Sequence, residues 1–198
     1  MDVDALLGML VAALALMGGP GPATLSVAAT SAVFGVGQAR PYYIGVCCGT
    51  STIVLLVGTG VTGLVFAVPG VAPVLVALAG AYILYLAYRI ATAPALKSIE
   101  EAGPPPPMIV GYLFAVANPK GYAAIGAVFA GFSLFASDPT RDAVVKAGLL
   151  IVMVVFVNTC WLLTGSVLSR LFQSERAARA LNISFAGLLV ASVAVLAF

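Results

Sequence analysis

The sequence predicts an all-α membrane protein of six transmembrane helices, arranged as two inverted three-helix repeats with helices 1 and 4 broken. Three observations predict it. The 198 residues are 62% hydrophobic and 8% charged, whereas a soluble domain carries about 25% charge. That apolar content matches roughly six bilayer crossings at about 20 residues each. Gly/Pro interruptions also recur, at Gly18–Pro22 and at Asn118–Lys120, roughly 98 residues apart. The net charge of +2 is small and dispersed, so nucleic acid is not an expected partner.

Charge-free windows cover residues 5–39, 41–88, 102–119, 121–137, 147–169 and 180–198. The first contains Gly18-Gly19-Pro20-Gly21-Pro22. Neither piece alone crosses about 30 Å at about 1.5 Å per residue, so the window reads as one span broken in its middle. The second window is too long for one helix. Val68-Pro69-Gly70 and Pro73 turn it into a hairpin of spans at about 43–67 and 74–88. Residues 91–107 form a linker ending in Gly103-Pro104-Pro105-Pro106-Pro107, which cannot continue a helix. The second half opens with 108–134, interrupted by Asn118-Pro119-Lys120, and closes with spans at about 143–168 and 180–198. The organisation is therefore a first repeat over 1–90, the connecting loop 91–107, and a second repeat over 108–198.

Orientation follows from the excess of Lys and Arg on cytoplasmic loops. Six spans put Arg40, Arg89, Lys97, Arg170, Arg176 and Arg179 on one side and only Arg141 and Lys146 on the other, so both termini are expected outside. No Lys or Arg precedes Arg40, so the first apolar stretch lacks the basic start of a cleaved signal and is expected to be retained.

An odd number of spans per half makes the halves inverted relatives. Ala28-Ala29-Thr30-Ser31-Ala32-Val33-Phe34 also resembles Ala123-Ala124-Ile125-Gly126-Ala127-Val128-Phe129. Paired Gly/Pro breaks in inverted halves point to the midplane site of a secondary transporter. A proline break frees carbonyls, and in hydrocarbon these need a partner from protein, water or substrate. The helix restarting near Ala23-Thr24 offers free N–H groups and a positive dipole end suited to a carboxylate. The competing reading of each break is a mere kink in a structural helix, and it is weaker for the two together than for either alone.

Lys120 reads as the single ionisable residue deep in an apolar span, so it should face the protein interior or a wet cavity. Either it holds an anionic substrate group, or it donates to the carbonyls freed by Pro119 or reaches an interface. Asn158, Thr159, Thr164, Thr50, Ser51, Thr52, Asn182 and Ser184 serve either helix association or substrate contact. Gly45-x-x-x-Gly49 is a close-packing pattern, and Tyr82, Tyr85 and Tyr88 beside Arg89 look like an interfacial belt. Cys47, Cys48 and Cys160 are odd in number, and the chain has no histidine. They read as small buried hydrophobes rather than a metal site.

Gly19-Pro20-Gly21-Pro22 in the first span, Ala79–Arg89 closing the third, and Ala117-Asn118-Pro119-Lys120 in the fourth together resemble the LysE/RhtB family of amino-acid exporters. Length, span number and central loop agree over nearly the whole chain. The resemblance implies export of amino acids or close derivatives across the cytoplasmic (inner) membrane, driven by proton-motive force or exchange; it implies no cofactor, no metal and no enzymatic activity. No Gly-x-x-x-x-Gly-Lys-[Ser/Thr] loop is present, in keeping with ATP-independent transport. It implies a substrate site lined by Pro20, Gly21, Pro22, Thr24, Asn118, Pro119 and Lys120.

Departures from the family pattern narrow the substrate. Relatives resembling basic amino-acid exporters carry an aspartate in the second span, whereas Thr50 follows Gly49 here, and Asn158 stands where some members have an acid. A cationic substrate would lack a counter-ion, so the expected cargo is a small, neutral amino-acid-like solute, with Asn158 added to the site. Besides that solute, the lipid bilayer is the expected partner, and a homodimer is compatible with the sequence. Two alternatives are a membrane thiol–disulfide electron carrier, which would want cysteines at the breaks, and a non-transporting structural or assembly protein. Divalent-metal export is disfavoured, since no span was expected to hold an acid or histidine.

Overall fold

The computed structural model describes residues 2–60 and 104–171 continuously, with isolated positions between 74 and 92 and between 179 and 191. Every regular element among them is helical. Most of the expected third and sixth spans, with Tyr82, Arg89 and Asn182, lies outside the described residues. Tyr85 and Tyr88 of the expected aromatic belt are exposed.

Helix α1 (Val3–Gly18) starts on Asp2, whose carboxylate accepts the Ala5 N–H at 3.0 Å. It stops where Gly19 precedes Pro20 and turns extended, because a residue before proline is pushed out of the helical region. Helix α2 (Pro22–Gly58) restarts with proline at its first position, where the missing N–H costs nothing. The loop expected around Arg40 is instead a kink at Gly35, whose φ of 76° and ψ of 164° suit glycine alone, while Arg40 stands exposed on helical backbone.

Helices α3 (Met108–Val116) and α4 (Pro119–Gly131) meet at a 58° bend. Asn118 caps α4, its Oδ1 accepting the Lys120 N–H at 3.2 Å, and Pro119 takes the first position. The fourth span expected from sequence is thus a bent pair. Helix α5 (Pro139–Leu171) begins earlier than expected. Among the described residues two helices, Pro22–Gly58 and Pro139–Val167, are long and apolar enough to cross a membrane, and the bent pair, counted as one span, brings the number to three.

Small residues set the packing. A Cβ at Gly45 would run into the Met108 carbonyl, one at Gly49 would lie 2.5 Å from the Tyr112 carbonyl oxygen, and one at Gly111 would strike the Tyr42 carbonyl. The Gly45-x-x-x-Gly49 pattern is therefore the face on which α2 receives α3 at backbone distance, as small-residue motifs do between membrane helices. Gly165 of α5 meets the Ala28 carbonyl of α2 in the same way, and the Ser31 hydroxyl beside it donates to the Leu162 carbonyl. Tyr43 and Thr159 share a hydrogen bond of 2.8 Å across the same pair of helices, and Thr52 and Tyr112 one of 3.3 Å between α2 and α3. These polar residues join helices rather than line a cavity.

Two expectations about isolated residues are corrected. Cys47 is buried as expected, but Cys48 and Cys160 are exposed, because they point away from the helix interfaces. Lys146 is not a solvated loop cation and Asp142 does not stand clear of the helix. Both are buried in the first turns of α5 and paired at 2.6 Å. Asp142 accepts the N–H groups of Leu134 and Phe135, while Lys146 donates to the carbonyls of Phe129 at 3.0 Å and Phe132 at 2.9 Å. The pair ties the end of α4, and the turn after it, to α5. The Asp2 N–H donates to the Leu134 carbonyl at 3.0 Å, so the start of α1 joins the same cluster.

Adding one methyl at Gly45 or Gly165 is expected to cost about 1–3 kcal/mol through overpacking, whereas Gly126, which has nothing within 4 Å of its Cβ position, should tolerate alanine. Thermal unfolding of the three purified variants in detergent checks this. Equal melting temperatures would remove these glycines from the packing account.

Candidate functional site

The break between α1 and α2 leaves the last carbonyls of α1 without helical partners. Each of three consecutive carbonyls is taken by a side chain. Gly18 accepts from the indole N–H of Trp161 on α5 at 3.1 Å, and Gly19 from the Thr24 hydroxyl and from Lys120 Nζ, both at 3.4 Å. Pro20 accepts from Lys120 Nζ at 3.1 Å. Thr24 Oγ1 lies 3.1 Å from the Gly21 carbonyl and accepts the Gly21 N–H at 3.0 Å. Of the two sequence readings of Lys120, neither named these partners: the ammonium leaves its own break and bridges to the other one.

Electrostatics favours that bridge. The C-terminal end of a helix carries partial negative charge, so a cation at the end of α1 is attracted. Gly21 makes room for it, since a Cβ there would lie 2.7 Å from Lys120 Nζ and 2.9 Å from its Cδ. Lys120 sits at the first turn of α4, where Asn118 fixes the backbone. The two proline breaks are therefore in contact through one side chain.

Around this contact lies a partly open pocket, with about 470 Å³ of empty space that includes its open mouth. Of the residues expected from sequence, Gly21, Thr24, Asn118, Lys120 and Asn158 line it together. Pro20, Pro22 and Pro119 do not line it; they shape the backbone that does. Thr50, one of the weaker sequence candidates, joins the wall from the second segment of α2. The remaining lining is largely apolar, including Leu16, Met17, Ala124, Ile125, Val154 and Val157, residues that the sequence did not single out. None of the three cysteines lines the cavity.

Chemically the wall offers one ammonium, hydroxyls, two side-chain amides and the first amides of α2. The Ala23 and Thr24 N–H groups fall at the helix start, where no intrahelical acceptor exists. An anionic group fits beside Lys120 and these amides, and a small apolar or weakly polar remainder fits against the aliphatic wall.

Known proteins resemble the chain along most of its length. The family model described as LysE type translocator matches residues 14–198. A protein described as a cysteine/O-acetylserine efflux protein in Salmonella choleraesuis (strain SC-B67) is 30% identical over 177 residues, covering 86% of each chain. One of the same description from Salmonella typhimurium (strain LT2) shows the same identity and coverage. No solved structure matches.

Lys120→Met should loosen the break. Removing the donor from the Gly19 and Pro20 carbonyls is expected to lower stability by about 1–3 kcal/mol and to shift the emission of Trp161, the sole tryptophan, which bonds the adjoining carbonyl. Unchanged melting and unchanged emission would show that the lysine does not hold the break.

Proposed function

The chain belongs to the LysE family of translocators, and from that premise we propose that it exports small neutral amino acids or their close derivatives by alternating access. It is a multi-pass membrane protein of an amino-acid efflux family; the finer reading concerns cargo, site and topology. The observation that carries it is the cavity at the first break, where Lys120 and the start of α2 converge. The substrate carboxylate lies between them, and the rest of the molecule lies against the aliphatic lining.

Charge supports a neutral cargo. No Asp or Glu stands among the cavity residues, and the buried acid of α5, Asp142, is engaged by Lys146 and two backbone amides. A cationic side chain would meet Lys120 with no counter-charge, which is costly away from water. The description of the Salmonella relatives makes L-cysteine and O-acetyl-L-serine the first cargoes to test.

Alternating access follows from the paired breaks. Two inverted halves of three spans rock against each other about the Gly19–Gly21 and Asn118 hinges, in the inner membrane, with both termini outside. The hydrogen bond from Asp2 to Leu134 supports a shared side for the N-terminus and the connection after α4.

Efflux of labelled L-cysteine, O-acetyl-L-serine, L-alanine and L-serine from loaded vesicles should exceed that of lysine or arginine. At equal abundance Lys120→Ala should lose at least about tenfold of that efflux, the equivalent of one charge-assisted hydrogen bond. Undiminished export by Lys120→Ala would sink the carboxylate role. A reporter fused at Phe198 that is active only in the cytoplasm would reverse the topology.

A further inference from the structure

Asn158 has a hydrogen-bonding atom left over. The residue is 4% exposed, on the interior of α5, and lines the cavity. Its Nδ2 donates to the Val154 carbonyl one turn back at 2.9 Å, which sets the rotation of the amide, since the flipped form would press oxygen against oxygen. Oδ1 is thereby a buried acceptor with no hydrogen-bond partner among the described residues. Buried polar atoms are very largely hydrogen-bonded, and the neighbouring cavity residues Val154, Val157 and Ile125 offer no side-chain donor.

We infer that Asn158 reads the amino group of the cargo, its Oδ1 accepting an N–H of the α-ammonium while Lys120 and the start of α2 hold the carboxylate. The inference rests on the exporter reading and sharpens it: admission requires a free amino group as well as a carboxylate. A neutral amide suits that task in this cavity. Beside Lys120, a zwitterion brings equal and opposite charges and leaves the local net charge unchanged, so its ammonium needs an oriented acceptor rather than a second full charge. A site built to accept an N–H rejects the analogue that lacks it more strongly than an apolar pocket rejects a missing methyl group.

The test compares each amino acid with its deaminated twin on the purified full-length protein in detergent, under reducing conditions. The pairs are L-alanine with propionate, L-serine with 3-hydroxypropionate and L-cysteine with 3-mercaptopropionate. Binding is followed by Trp161 emission and by thermal stabilisation. In the wild type, an amino acid that binds should do so at least about tenfold more tightly than its twin. In Asn158→Leu, which keeps the side-chain shape without the acceptor, that ratio should fall towards one through weaker binding of the amino acid.

Equal affinities within a pair in the wild type would overturn the inference and leave the exporter reading standing, with water as the partner of Oδ1. A ratio kept in Asn158→Leu would overturn the assignment to this residue. Binding of none of the three amino acids would overturn the exporter reading for this class of cargo, and the inference with it. Because equal affinities in the wild type overturn the inference whatever the variant does, failure of Asn158→Leu to fold leaves the inference falsifiable.

Discussion

Three freed carbonyls at Gly18, Gly19 and Pro20 govern the arrangement of this molecule. A helix broken inside hydrocarbon exposes acceptors that no water is on hand to satisfy, so other elements have to reach in with donors. Trp161 comes from α5, Lys120 from α4 and Thr24 from the restarted helix itself. One local defect thereby fixes the relative placement of α1, α2, α4 and α5. The cavity is what remains where these donors converge without filling the space. In the proposed function the substrate site and the structural repair are the same set of bonds, and a group that competes for Lys120 loosens the break that Lys120 holds.

A second polar cluster does the opposite work. Asp142 and Lys146 satisfy each other together with two amides and two carbonyls around the end of α4. Such a pair gains little over well-packed apolar residues, but losing one partner would strand a buried charge. Its effect is to hold one end of the bent α3–α4 pair firmly against α5. With that end tied and the Asn118 bend left between two short helices, the rocking proposed above would fall at the breaks. The missing side chains at Gly45, Gly49 and Gly165 let the helices around them approach to backbone distance.

Local features were the legible ones. Pro20, Pro22 and Pro119 mark the breaks because proline removes a donor wherever it stands, and Lys120 was conspicuous as a charge in an apolar window. What periodicity and composition could not supply was partnership across the fold. Nothing near Lys120 in the chain says that it reaches Gly19 and Pro20 rather than its own break, because the backbones meet only once the two halves pack. Lys146 was misread for a related reason. Its proximity to Asp142, four residues earlier, was visible, but the curl of residues 132–138 that buries both was not. Gly35 escaped notice among many glycines, since only a backbone angle distinguishes it. Asn158 entered the site on a family departure alone; its rotation, set by Val154, needed coordinates.

The distribution of charge ties these strands together. In the described cavity wall Lys120 is the only ionised side chain, and it is already attached to neutral carbonyls at 3.1 and 3.4 Å. A full negative charge attracts an ammonium more strongly than a neutral carbonyl does away from bulk water, so in the proposed binding mode a carboxylate arriving beside Lys120 competes with the carbonyls for it. In that mode the carbonyls of Gly19 and Pro20, at the negative end of α1, are then freed as further acceptors for the ammonium, beside Asn158 Oδ1. A molecule bearing only a carboxylate takes the lysine and leaves those carbonyls bare, and one bearing only a cation meets Lys120 already in its place. Of the small solutes considered, only the zwitterion can take the lysine from the break and also supply donors to what the lysine leaves behind. On this account the preference for amino acids and the mobility of the hinge have one physical origin.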